Sequence, residues 1–314
     1  MIISLLGIIR GQYSMIFFMA SSIILLIYFH QYFFAPDKNV TNNRIFGILI
    51  IIDIISIILV FISFYMVIKS TENYLTTIFF NRNTLGMILL WGYWSNTIIK
   101  NKYVDNKIIK MISILLFIAI FFTGSRSAIL ALIIFWVFQN PIKRVTIASI
   151  ICIIIFLLFG NALKDYYRFE KGVTHRDLLW KAGIESWKKS PIMGSGYNSH
   201  KNLMRQNHII RTFADGYLQN LSPHNTYIRY LVDFGIIGLV LYLSVWGLII
   251  IKLIQSKNNL ARINLGYIMG TMTHQFFETE FLFGLSFNNI MLLIFIYISL
   301  SINKLLPANY VCRK

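Results

Sequence analysis

Leu221–Ile251 reads "LSPHNTYIRYLVDFGIIGLVLYLSVWGLIII". A short polar lead opens into an apolar run over 226–251, and about 20 apolar residues in succession are what a helix needs to cross a bilayer. The rest of the chain repeats the pattern. Of its 314 residues 57% are hydrophobic and 13% charged, and Ile, Leu and Phe come in runs rather than in alternation. Lipid leaves unpaired backbone groups unsatisfied, so only helices and closed barrels span it. A barrel requires short alternating strands, which this sequence lacks. The expected fold is therefore all-α: a polytopic membrane bundle of about nine transmembrane helices with one large loop. The same stretch raises a chemical question. His224 stands just outside the first helical turn, where Tyr or Trp would anchor an interface at less cost. It is either an interfacial residue or the rim of a site that works at the membrane surface.

The formal charge of +17 would suggest nucleic acid in a soluble chain. Here the basic residues sit in loops, where they set orientation and meet lipid head groups, and no soluble basic domain exists to grip a nucleic acid. The two cysteines, Cys152 in an apolar run and Cys312 in the tail, do not form a pair. No Cys/His cluster or carboxylate pair has metal-ligand spacing, so neither a metal nor another cofactor is expected. The opening "MIISLLGIIRG" is too short to span and reads as the end of a helix, which leads one to expect a truncated or late start.

Spans are expected near 15–34, 45–68, 84–99, 108–122, 125–138, 145–160, 226–251, 263–279 and 282–301. This gives an N-terminal membrane part (1–160), a long loop with an amphipathic helix (161–223) and a C-terminal membrane part (224–314). By alternation, fourteen Lys and Arg fall on one side. On the other, outside the long loop, are five: Arg10, Lys69, Arg82, Arg126 and Arg229. The positive-inside bias makes the first side cytoplasmic and the long loop periplasmic or external.

Three stretches facing that outer side carry candidate chemistry. Residues 108–142 must cross twice at roughly sixteen residues per pass, fewer than the usual number. The turn "FFTGSRSA" between the passes draws Arg126 toward hydrocarbon, at a cost of about 2.5–3.5 kcal/mol. An arginine there either snorkels or has a purpose. In the loop, "THRDLLWKAGIESWKK" (174–189) is an amphipathic helix with Trp180, Ile184 and Trp187 on one face. Thr174 and Asp177 have capping-box spacing. Arg176 falls in the first turn, where the dipole disfavours a cation but open N–H groups invite an anion. "SPIMGSG" then stops the helix, and its Gly194–Gly196 "GSG" is a turn with weak phosphate-cradle character. In the third stretch Asn225 caps the next helix, Arg229 and Asp233 form an i,i+4 pair, and Gly235 and Gly238 allow close packing.

"TGSRSAILALII", "HRDLLWKAGIESWKKSPIMGSGY" and "PHNTYIRYLVDFGIIGLVLYL", in this order and on one side of the membrane, resemble the O-antigen ligase and polymerase family of bacterial envelope glycosyltransferases. The likeness is strongest over Phe121–Ile251. It implies an inner-membrane enzyme whose pocket faces the periplasm and gathers Arg126, Arg176 and His224 as catalytic residues. Substrate would be bound by Arg126, Arg176 and Asn225, with Glu278 and Glu280 of "HQFFETEF" at the rim. It also implies metal-independent transfer of a glycan from undecaprenyl pyrophosphate to an acceptor glycan, in contact with membrane lipid and with a chain-length regulator. The residue types suit that chemistry. Guanidinium stays charged and matches phosphate oxygens in pairs. Imidazole, whose ordinary pKa is about 6.5, can accept a hydroxyl proton near neutrality.

The resemblance leaves two acceptors open: another lipid-linked repeat unit, in a polymerase, or lipid A–core, in a ligase. A lipid-linked sugar transporter would show internal repeats and mid-membrane ionisable residues. No repeat is visible, and Asp53 in "IIIDIISII" is the one clear mid-span charge. An inert scaffold would tolerate changes at Arg126 and His224. The histidines His175, His200 and His208 compete with His224 for its role.

Overall fold

The computed structural model describes residues 38–69, 81–102, 106–140, 176–212, 222–256, 258–279 and 287–305, with Ile24, Ile27, Tyr28 and Gln31. Every regular element among them is helical: α1 Lys38–Lys69, α2 Arg82–Lys102, α3 Lys107–Phe122, α4 Arg126–Gln139, α5 Arg176–Lys188, α6 Ser199–Gln206, α7 His208–Thr212, α8 Thr226–Ser256, α9 Asn259–His274 and α10 Phe287–Leu305. The expected spans at 145–160 and, four residues apart, 15–34 lie outside the described residues, as do Thr174, His175, Glu280, Cys152 and Cys312.

Among the described residues, two helices are long and apolar enough to cross a membrane, Asn43–Lys69 and Thr226–Ser256. At about 1.5 Å per residue, α3 and α4 reach roughly 24 and 21 Å, short of the roughly 30 Å hydrocarbon core. The chain divides into two compact units, one of residues 1–30, 171–251 and 275–297, the other of 31–170, 252–274 and 298–314.

The second unit is a helical bundle with α2 at its centre, buried along almost its whole length. Buried polar residues of this helix bond to its neighbours. Ser95 Oγ donates to the Leu49 carbonyl of α1 at 2.6 Å, and Asn96 Nδ2 to Asp53 Oδ2 at 2.7 Å. Ser113 Oγ of α3 donates to Asn96 Oδ1, and Trp94 Nε1 to Asn264 Oδ1 of α9 at 2.7 Å. Such cross-helix bonds average about 0.6 kcal/mol in membrane bundles. Asp53, the one mid-span charge, is thus a buried strut between helices, 6% exposed.

Helix α9 packs on α4 through Gly266 and Gly270. A Cβ at Gly270 would lie 2.6 Å from the Ala131 carbonyl, and one at Gly266 would lie 2.8 Å from that of Phe135. This small-xxx-small spacing lets two backbones meet. Tyr267 fills the space between, with ring centroids 5.0 Å from Trp91, 5.2 Å from Trp94 and 5.9 Å from Phe135.

In the first unit α8 departs from one straight span. Gly235 has φ 67 and ψ −166, so the helix breaks there and loses its i→i−4 bonds. The "SPIMGSG" loop replaces them: Ser195 N donates to the Val232 carbonyl and Gly196 N to that of Asp233, both at 2.8 Å. In return Ile236 N donates to the Pro191 carbonyl at 2.9 Å and Ile237 N to that of Ile192 at 3.3 Å. Any side chain on Gly194 or Gly235 would run into the other strand's backbone. Gly238 differs from the expected role, since a Cβ there would meet Phe234 of its own helix. The Ser195 and Gly196 amides are spent on α8 and that of Gly194 on the Ser190 carbonyl at 2.9 Å, so this turn has no phosphate-cradling role.

The break also leaves a shorter straight helix. Ile236–Ser256 alone is about 31 Å long, enough for the hydrocarbon core. Thr226–Phe234, with Arg229 and Asp233, is about two and a half turns that need not enter lipid.

Candidate functional site

The site is built on the first unit, where four pieces of chain meet: the start of α5, the 222–226 segment, the first turns of α8 and the turn 275–279. The turn is expected from sequence to continue a helix to 279, but α9 ends at His274. Gln275 is then held from two sides: its carbonyl accepts the Thr226 N–H at 2.9 Å and its side-chain oxygen accepts from the Tyr242 hydroxyl. Behind it Tyr227 lies 4.5 Å from Phe276, and Tyr230 stacks on Tyr242 at 4.2 Å. An aromatic wall therefore supports a polar edge.

On that edge Glu278 joins two predicted residues. Its Oε1 accepts from Arg176 Nη2 at 2.7 Å, and its Oε2 lies 3.4 Å from His224 Nδ1. The Arg176 Nη1 group also donates to the Phe277 carbonyl. Arg176 and Glu278 side chains are each 15% exposed and His224 29%, so the cluster is reachable yet largely shielded. In such surroundings charge interactions exceed those of a solvated pair.

The local backbone is arranged for this contact. His224 has φ 45, a left-handed conformation that costs a non-glycine residue on the order of 1–3 kcal/mol. Its N–H donates to Ser222 Oγ at 3.3 Å, Ser222 Oγ pairs with Thr279 Oγ1 at 2.9 Å, and Thr226 Oγ1 donates to the Glu278 carbonyl at 2.9 Å. Asn225 is buried and caps α8, its Oδ1 accepting from Ile228 N at 3.0 Å. Helix α5 fits here by its small and aliphatic residues. Leu179, Ala182, Gly183 and Ser186 are its buried residues, and a Cβ on Gly183 would strike Ile228 of α8. Trp180 is half-buried, 6.3 Å from Phe277.

The competing histidines sort by environment. His200 is 1% exposed, and its Nδ1 donates to Asp233 at 2.9 Å. The same carboxylate, fully buried, accepts from His200 N at 3.0 Å, Ser199 Oγ at 3.1 Å, Asn198 N at 3.2 Å and Arg229 Nε at 3.5 Å. That node locks α6 onto α8 and is structural. Burial raises the phenol pKa of neighbouring Tyr197 above its usual range, with Arg229 opposing and Asp233 adding to the rise. His208 is 80% exposed and lies 3.7 Å from Glu185.

Arg126 belongs to the other unit. It is the first residue of α4 and half-buried, after a turn in which Gly124 has φ 62 and Ser125 caps the helix by accepting from Ala128 N at 3.4 Å. Arg126 thus opens a helix whose N-terminal amides favour anions, and Arg176 is the first described residue of α5. Glu278 is the residue whose importance sequence reasoning underrated. An acidic group at the outer end of a span was visible in "HQFFETEF", but its partners lie 102 residues away, at Arg176, and 54 away, at His224.

These features define a helical membrane protein with a basic, histidine-bearing site. Residues 111–243 match the family described as "O-Antigen ligase". The matched segment holds Arg126, Arg176, His224 and Asn225, with Glu278 beyond its end. The chain is also similar to the "Exopolysaccharide production protein ExoQ" of Rhizobium meliloti (strain 1021), 35% identical over 71 residues. That match covers 22% of this chain and 16% of ExoQ.

Proposed function

We propose that the chain is a metal-independent membrane glycosyltransferase. In this reading it polymerises a surface polysaccharide at the outer face of the bacterial inner membrane. The donor is a glycan on undecaprenyl pyrophosphate, and the acceptor is a sugar hydroxyl of another lipid-linked repeat unit. The observation that carries this reading is the Arg176–Glu278–His224 cluster: a guanidinium and an imidazole held together at a partly shielded rim. His224 takes the acceptor hydroxyl's proton, and Arg176 meets the charge that grows on the departing diphosphate. Arg126 is retained from the sequence as a second diphosphate ligand, and Asn225 and Glu280 as substrate ligands. The nine-span topology, the periplasmic long loop and a chain-length regulator as partner belong to the same proposal.

The name of ExoQ, an exopolysaccharide production protein, supports the polymerase, whereas the name of the matching family, O-antigen ligase, supports a ligase with lipid A–core as acceptor. Surface polysaccharide displayed on a gel from a strain lacking the gene separates the two. Product with a single repeat unit indicates a polymerase. Lipid-linked polymer accumulating over bare core indicates a ligase. A normal ladder from strains carrying H224A or R176A would remove the enzymatic reading.

A further inference from the structure

We propose that Glu278 is the positioning residue of this site: it holds the His224 imidazole with its proton on Nδ1, so that Nε2 is the atom that receives the acceptor's proton. The inference rests on the transferase reading and deepens it. An ionised carboxylate only accepts hydrogen bonds, so the ring nitrogen facing Glu278 Oε2 at 3.4 Å is the donor. A neutral imidazole has a single N–H, which leaves the lone pair on Nε2.

Glu278 is itself fixed at several points. Its Oε1 is held by Arg176 at 2.7 Å. Its carbonyl accepts from Thr226 Oγ1, and the next residue, Thr279, pairs with Ser222 at 2.9 Å. Ser222 in turn holds the His224 N–H, so the backbone beneath the ring and the carboxylate beside it are parts of one network. The strained φ of His224 is what such a network can hold in place. With both oxygens engaged inside the protein, Glu278 is better suited to orienting His224 than to gripping a sugar, the role its sequence position suggested. The charged groups drawn to the ring are Glu278 and, through it, Arg176.

The step balances. The acceptor oxygen bonds to the anomeric carbon as its proton passes to His224 Nε2. The bond from that carbon to the diphosphate oxygen breaks, and its electron pair leaves with the diphosphate beside Arg176. The imidazolium so formed faces the Glu278 carboxylate through Nδ1–H, which stabilises it until the proton passes to water.

The test uses the full chain in lipid nanodiscs. The donor is lipid extract from a strain lacking the gene, which retains that strain's lipid-linked repeat units. E278Q, which keeps the side chain's shape, is expected to lower kcat about 100-fold. In an H224A background the same change is expected to cost less than about 2-fold, because a residue acting through His224 has nothing left to position. Equal losses in both backgrounds would overturn the proposal. An independent readout needs no substrate. Side-chain ¹⁵N spectra of labelled histidine, with the His224 signal assigned by its loss in H224A, are expected to show the Nδ1–H tautomer in the wild type and a mixture in E278A. A wild-type Nε2–H tautomer would also overturn it. If the wild type transfers no glycan, the enzymatic reading fails, while the tautomer still decides the role of Glu278.

Discussion

The two units of the chain treat buried polarity in opposite ways. In the bundle, Asp53, Asn96, Ser113 and the Trp94–Asn264 pair bond across helices in regular backbone, deep among apolar side chains. In the other unit, polar groups cluster where the backbone is irregular: Asn198 and His224 have positive φ, as do Gly194, Gly196 and Gly235. There a buried carboxylate, Asp233, serves as a structural node, and a partly shielded one, Glu278, serves the rim. The contrast teaches that a buried bond in straight helix contributes stability alone. A bond that holds strained backbone at an accessible edge fixes a reactive group's geometry.

The largest expected effect falls at the rim. Replacing His224 or Arg176 with Ala should lower glycan transfer by about 10²–10⁴-fold while leaving folding intact, measured as transfer per folded molecule in nanodiscs. Arg176→Lys should recover little, because one ammonium cannot hold both Glu278 and the Phe277 carbonyl in the fork that guanidinium offers. Wild-type rates in these variants would erase the functional half of the contrast.

Gly235→Ala probes the strain. A Cβ at φ 67 would strike the Ile192 carbonyl, and a loss of about 3 kcal/mol or more is expected. It should appear as a lowered melting temperature and a poor yield of folded protein. An unchanged melting temperature would mean that the loop does not thread the kink.

The bundle should give a smaller effect of a different kind. Asp53→Ala leaves the Asn96 amide without its acceptor and should cost about 1–3 kcal/mol of stability. Transfer per folded molecule should stay within about 2-fold of the wild type, because Asp53 acts on stability and not on chemistry. Asp53→Asn, which keeps an acceptor oxygen, should fall between Ala and the wild type in melting temperature. A large loss of activity without loss of stability would give the bundle a role in chemistry. The smallest effects are expected from His208→Ala, at an exposed pair worth under about 1 kcal/mol, and from chelator treatment. Both should leave transfer unchanged.

Much of the helical plan was legible because apolar runs report burial in lipid or core directly. The starts of α5 and α8, the Asn225 cap and the Gly124 turn all follow from local chemistry, and so did the suspicion attached to His224 and Arg176. Other features were not legible, each for a nonlocal reason. The run from 226 reads as one span because hydropathy sees composition. The break at Gly235 exists only because a loop some forty residues earlier supplies the hydrogen bonds the helix gives up. Gly266 and Gly270 carry no signal of their own in the sequence, because their use depends on α4 lying opposite.

The histidines show the division most plainly. By sequence alone His200 and His208 compete with the favoured His224, each a polar residue in or beside a long basic loop. Tertiary structure buries the first against Asp233, leaves the second in solvent and sets the third beside Glu278. Sequence determined that this chain is helical and apolar, and that its basic and imidazole groups gather outside the expected spans, because those properties are carried by runs of neighbouring residues. Which imidazole meets which carboxylate was decided only by folding. That choice turns on atoms a few ångströms apart in space but, for His200–Asp233 and His224–Glu278, 33 and 54 residues apart along the chain.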